Sequence, residues 1–195
     1  MGRKKLDQQR KAQILEAFGA CVLKFGLDGS GISAVAREAG LSRTLVHHFV
    51  GTRDELVSLL AEHVLHRHRS EVDEFLTWAR KGVPLVDLLA EDFDFPQQEG
   101  VSERALYAIM NTARSQYPDI DNAYRTILDD WAEAVGRVLF ESGRGRDETE
   151  CRSTAVVLLA ILAGCDMIRA LPDFELHKKA LKNQLKHVVE SVPER

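Results

Sequence analysis

Cysteine is scarce in this sequence. The three present, Cys21, Cys151 and Cys165, are widely spaced and form no CxxC pair. That argues against a disulfide framework or a thiolate zinc site and points to a reduced, cytoplasmic setting. Long apolar runs are missing too. The longest uncharged one covers residues 155–165, well short of the ~20 residues that cross a bilayer. The opening MGRKKLDQQRK has no apolar stretch of the secretory kind, and no membrane partner is expected. Runs of alternating β-branched residues bounded by turns are absent, so strands are not expected. GxSxG, GxGxxG and the P-loop are also absent, and with them the usual nucleophile-elbow, dinucleotide and triphosphate signatures.

What is present is enough chain for a core. At 195 residues and 45% hydrophobic content, no metal or disulfide staple is needed for stability. The net charge of −4 hides an asymmetry. Residues 1–53 hold nine Lys/Arg against four acids, a surplus of five. The remaining 17 basic and 26 acidic residues leave the rest of the chain at −9. A basic head on an acidic body suits a chain whose head meets a polyanion.

Apolar residues recur at helical spacing almost throughout. The expected helices cover about 7–25, 32–39, 43–50, 53–80, 85–93, 101–116, 119–141, 148–170 and 174–191. The fold class is therefore all-α, with about nine helices. Thr52-Arg53-Asp54-Glu55 has the form of a capping box opening the fourth helix. That helix is apolar near Leu56, Leu59, Leu60 and Val64, and again near Val72, Phe75 and Leu76. Between them, residues 66–71 contain no apolar side chain. The pattern predicts a connector solvated in its middle, touching a core at each end.

Residues 32–50 carry the functional signal. Ala36 and Ala39 are small enough for close packing between two helices, and Gly40 permits the positive φ of a sharp turn. Leu41, Val46 and Val50 would anchor the third helix. Arg43, Thr44, His47 and His48 would then face outward, as the donors of a recognition helix must.

With these residues in view, the segment 10–56 resembles the DNA-binding domain of the TetR family of bacterial regulators. The matching pieces are RKAQILEAF, LKFGLDG, ISAVAREAGLS, the third helix and GTRDEL. The last resembles the family's Ser-Lys opening of the fourth helix. The resemblance implies a helix-turn-helix DNA-binding domain at 1–53 and a helical ligand-sensing and dimerisation domain at 54–195. It implies a homodimeric regulator, a repressor released by a small-molecule effector, bound to a palindromic double-stranded operator. Carried over by position, Arg43 reads a base edge, and Thr44, His47 and His48 touch bases or phosphates. Arg53 grips a phosphate, Ser30, Ser33 and Ser42 line the interface, and Lys4 and Lys5 form a basic arm. Departures lie inside the recognition helix. Thr44 stands where the family has Gly or Pro, His47 where it has Tyr, and Phe49-Val50 where it tends to have His-Phe. The family's usual Thr before the second helix is missing, which leaves its cap to Ser30 or Gly31.

In the body, the resemblance places an effector among helices bearing Phe75, Trp78, Tyr107, Met110, Asn111, Arg114 and Trp131. Tyr117 is a further aromatic of this region. The helix 148–170 is apolar on every side over its middle, more than a peripheral helix can hide within one subunit. With the last helix it resembles the family's dimerisation pair. The expected interface is Val157, Leu158, Ile161, Leu162, Cys165, Leu181, Leu185 and Val188.

Other readings of the residues are weaker. His63 and His66 share a helix face at i, i+3, but no third ligand joins them at helical spacing, so no metal site is expected. Glu91, Asp92 and Asp94 read as an exposed acidic cluster. Cys165 beside Asp166 lacks a histidine partner. No catalytic residue and no cofactor is expected. The rivals are an all-α enzyme or metal protein using the histidines, and a helical protein-interaction module.

Overall fold

The computed structural model describes residues 2–94, 101, 105, 108, 109, 114–168 and 171–195, with the side chains of 2–5, 91–94, 114, 166 and 167 outside that set. Among the described residues there are eight α-helices. They are α1 (Gly2–Phe25), α2 (Ile32–Glu38), α3 (Arg43–Val50), α4 (Arg53–Arg80), α5 (Leu85–Asp94), α6 (Pro118–Glu141), α7 (Glu148–Ile168) and α8 (Phe174–Ser191). A 3-10 turn covers Arg114–Gln116. The expected helix at 101–116 lies mostly outside the described residues. Helix α1 begins ahead of the expected Asp7, through a stretch of Arg, Lys and Leu that favours helix.

The chain divides into two compact units. The first contains residues 1–68 and 97–126, the second 69–96 and 127–195. These units do not follow the boundary expected after Arg53, because the first part of α4 belongs to the first unit. Its buried stripe explains why. Val57, Ala61, Val64 and His68 recur at helical spacing, and all are 4% exposed or less. His68 therefore corrects the expectation of a fully solvated middle. It continues the buried stripe one turn beyond Val64 and has an interaction partner there.

In the first unit, α1 packs on α2 and α3, and α2 packs on α3. Ile14, Phe18, Val35 and Val46 are completely buried. Gln13 Nε2 donates to the Ala39 carbonyl at 2.9 Å and ties α1 to the end of α2. The α2–α3 turn is closed by two backbone bonds: Leu41 N–H to Ala36 O at 2.9 Å and Gly40 N–H to Arg37 O at 3.2 Å. This is a Schellman arrangement, and Gly40 supplies its left-handed residue at φ +65°.

The α3–α4 corner is equally local. Glu55 accepts the Thr52 backbone N–H at 2.7 Å, and Thr52 Oγ1 accepts the Glu55 N–H at 3.3 Å. The expected capping box is thus formed. Gly51 turns at φ +70°, and a Cβ there would collide with the Glu55 carboxylate.

The second unit has its own core. Phe75, Leu89, Val135, Leu139, Ala155, Leu158, Leu185 and Val189 are among its buried members. Helix α5 packs on α7 and α8, and α7 packs on α8. The α6–α7 turn is fastened by the tail: Gly145 N–H donates to Pro193 O at 2.7 Å, and Arg195 N–H to Gly143 O at 2.8 Å.

Two outcomes follow. Phe18→Ala should destabilise the chain by about 3–5 kcal/mol in denaturant melts, the usual cost of emptying a buried aromatic site. Hydrogen bonds from the Thr52 backbone and hydroxyl hold the Glu55 carboxyl below its ordinary value. A lowered folded-state value means that this contribution is complete above the ordinary glutamate range and disappears as pH falls through the lowered value. Glu55→Gln should therefore abolish one acid-side step in the dependence of stability on pH, leaving the difference from wild type flat once the pH is below the lowered Glu55 value.

Candidate nucleic-acid interface

The outward face of α3 is built by what its inward face buries. Val46 and Val50 are 0% and 4% exposed. Residues four apart share a helix face, so Arg43 and His47 lie together, as do Thr44 and His48. All four are exposed. Ser42 caps the helix, its Oγ accepting the Leu45 N–H at 3.2 Å. Its hydroxyl proton stays available to an external acceptor. Ser33 is exposed in the first turn of α2. The structure thus brings Ser33, Ser42, Arg43, Thr44, His47 and His48 onto the surface of one three-helix head.

Ser30 does not join them. It is 0% exposed, and its hydroxyl donates back to the Gly26 carbonyl at 2.7 Å. A buried hydroxyl with an internal acceptor cannot serve a nucleic acid. It does not cap α2 either, since Gly31 occupies the cap position without a side-chain bond. Lys4 and Lys5 lie in the first turns of α1, and their side chains fall outside the described residues.

Arg53 is present at the start of α4 but already has neighbours. Its side chain is 33% exposed, with Nη1 3.7 Å from Asp28 Oδ1. Its Nη2 donates to the Tyr117 hydroxyl at 3.2 Å, and that hydroxyl donates to Asp54 Oδ1 at 3.3 Å. Sequence reasoning missed these partners. Tyr117 stands 64 residues from Arg53, and no local pattern links the two. Tyr117 had looked like a pocket aromatic, but its hydroxyl is committed to α4.

In the second unit, Phe75 and Trp131 meet edge to face at 5.3 Å. Trp78 does not join them. It is 44% exposed and lies under the Lys81 ammonium, 4.2 Å from the ring centre, because its position on α4 is outside the buried stripe. Tyr107, Met110 and Asn111 lie outside the described residues, as does the side chain of Arg114. A cleft of about 830 Å³ opens between the end of α4, the start of α5, the end of α6 and α8, and of the described effector candidates neither Phe75, Trp78 nor Trp131 lines it.

The expected dimer surface also needs correction. Helix α7 carries two apolar stripes. Cys151, Ala155, Leu158, Leu162 and Cys165 form one, which is buried in the chain's own core. Val156, Val157, Ala160 and Ala163 form the other, which is exposed. Leu158, Leu162 and Cys165 are therefore core residues, as is Leu185 on α8. Ile161, Leu181 and Val188 are half-buried against the same core. Of the eight expected interface residues, Val157 is the exposed one, at 49%.

Among the described residues, no group of three or more His, Cys, Asp or Glu is arranged to hold a metal ion. None of the described helices is long and apolar enough to cross a membrane.

No family model matches the chain. The HTH-type transcriptional regulator PksA of Bacillus subtilis is 24% identical, across 97% of this chain and 93% of that protein. A TetR transcription regulator from Haloarcula marismortui superposes with a TM-score of 0.75 at 17% identity, covering 95% of this chain and 98% of that one. SmeT, solved as a triclosan complex, gives a TM-score of 0.69 at 17% identity, over 95% and 92% of the two chains. The backbone agreement runs through both units, so the chain has the all-helical fold of the TetR-family transcriptional regulators.

Proposed function

We propose that the chain is a sequence-specific DNA-binding transcriptional regulator, a homodimeric cytoplasmic repressor that a small-molecule effector releases from a palindromic operator. One observation carries this reading. An eight-residue helix, capped by Ser42 and anchored by Val46 and Val50, presents Arg43, Thr44, His47 and His48 to solvent. Arg43 has the geometry for bidentate donation to a guanine edge. Thr44, His47 and His48 reach neighbouring bases or phosphates. Ser33, Ser42 and Arg53 hold the backbone, and Lys4 and Lys5 add sequence-independent attraction. The surplus of five positive charges in residues 1–53 supports the same reading.

Dimerisation uses the exposed stripe of α7. Val156 and Val157 are 52% and 49% exposed, and Ala160 and Ala163 continue the stripe at helical spacing. A second copy of the same helix covers it across a two-fold axis, which matches a palindromic site. The effector reading rests on likeness of fold. SmeT was solved with triclosan, and in this chain Phe75 and Trp131 offer an aromatic pair. Tyr107, Met110, Asn111 and Arg114 are proposed beside them. An effector that binds one position of α4 better than another shifts the separation of the two heads.

In-vitro selection with the full chain tests DNA binding. It should enrich a palindromic duplex whose log affinity falls linearly with log salt. Failure to enrich any duplex would sink the reading. Arg43→Ala should cost about 1–3 kcal/mol on the selected duplex and relax preference at one base position. Val157→Glu should convert a sedimenting dimer to a monomer with unchanged helicity. A dimer that survives this change would remove the exposed stripe from the interface.

A further inference from the structure

We propose that Tyr117 is a positioning residue for the DNA-binding surface, and that through its phenol the segment 117–119 sets where Arg53 stands. This rests on the DNA-binding reading above. Arg53 is the first residue of α4, directly after the corner that follows the recognition helix. The Tyr117 hydroxyl accepts from Arg53 Nη2 at 3.2 Å and donates to Asp54 Oδ1 at 3.3 Å. A hydroxyl can accept and donate at once, and a bare phenyl ring can do neither. A second tie lies one turn along. The Ser58 hydroxyl donates to Asp119 Oδ2 at 2.5 Å. Asp54 and Ser58 are four residues apart and share a face of α4, so the segment grips that face at two points.

The phenol itself is carried on a firm element. The Tyr117 carbonyl accepts the N–H groups of Ile120 and Asp121 at 3.0 and 3.2 Å, and Ile120 and Ala123 are fully buried. Arg53 is therefore held from the body of the unit. Its other neighbour, Asp28, is fully exposed and 3.7 Å away, a weak pair that a phosphate can displace. A guanidinium has five N–H donors. Tyr117 takes one and leaves the remainder for DNA. Its effect is to remove rotamer freedom from a long side chain before the phosphate arrives, so that less is lost on binding.

The test is a double-mutant cycle on the full chain, with a duplex recovered by selection, read by fluorescence anisotropy at fixed salt. Tyr117→Phe should weaken binding about fivefold, the worth of one ordering contact. Arg53→Ala should weaken it further and lower the salt slope by about one ion. Adding Tyr117→Phe to Arg53→Ala should then change affinity no further, and each variant should stay fully folded at the assay temperature, with Tyr117→Phe losing at most a few degrees of melting temperature. Two results overturn the proposal: unchanged affinity in Tyr117→Phe, or the same fold loss with and without Arg53. A wild-type chain that binds no duplex would instead fail the DNA-binding reading itself, and this inference with it.

Discussion

An eight-residue helix cannot persist in water on its own, because too few hydrogen bonds follow its costly first turn. Helix α3 has that length, so the burial of Val46 and Val50 is what makes it a helix at all. Everything proposed for the recognition surface depends on that burial. Ile14 and Phe18 of α1 and Val35 and Ala36 of α2 complete the packing. The Schellman turn at Gly40 and the capping box at Thr52 then hold the helix at both ends of its run. A few buried side chains and two corners thereby orient four exposed ones.

The parts of this arrangement that were legible in the sequence are those whose signals are local. Gly40, Ser42 and the Thr52–Glu55 box mark boundaries within a few residues of where they act: α2 ends, and α3 and α4 begin, where those signals fall. The misread parts depend on what packs on what. Ser30 precedes a helix and looks like a cap, but its hydroxyl turns back to Gly26. Helix α7 is apolar on every side, and periodicity alone cannot tell which of two stripes faces inward. Leu158 and Val157 are neighbours in sequence and opposites in exposure. Trp78 and Phe75 illustrate the same limit on α4. The Tyr117–Arg53 contact left no trace in sequence, because its partners belong to segments that only the folded chain brings together.

Helices α4 and α6 each give residues to both compact units. Each of these helices is one unbroken backbone ladder, so its residues on either side of the division belong to a single hydrogen-bonded element. A two-state role for such an element is established by measured coupling, not by its continuity. The placement of Tyr117 next to the start of α6 makes that helix the better place to look for such coupling.

The division of labour within α3 also bears on how this protein can change over generations. Its inward residues carry the fold, while Arg43, Thr44, His47 and His48 stand in solvent outside the core. Substitutions at exposed positions usually alter stability little. A lineage can therefore exchange these four side chains, and on the proposed reading the DNA it prefers, without first acquiring stabilising changes elsewhere. Thr44 and His47, which depart from the pattern of the family the sequence resembles, stand where such an exchange costs the scaffold least: a vocabulary that can be rewritten while the page stays whole.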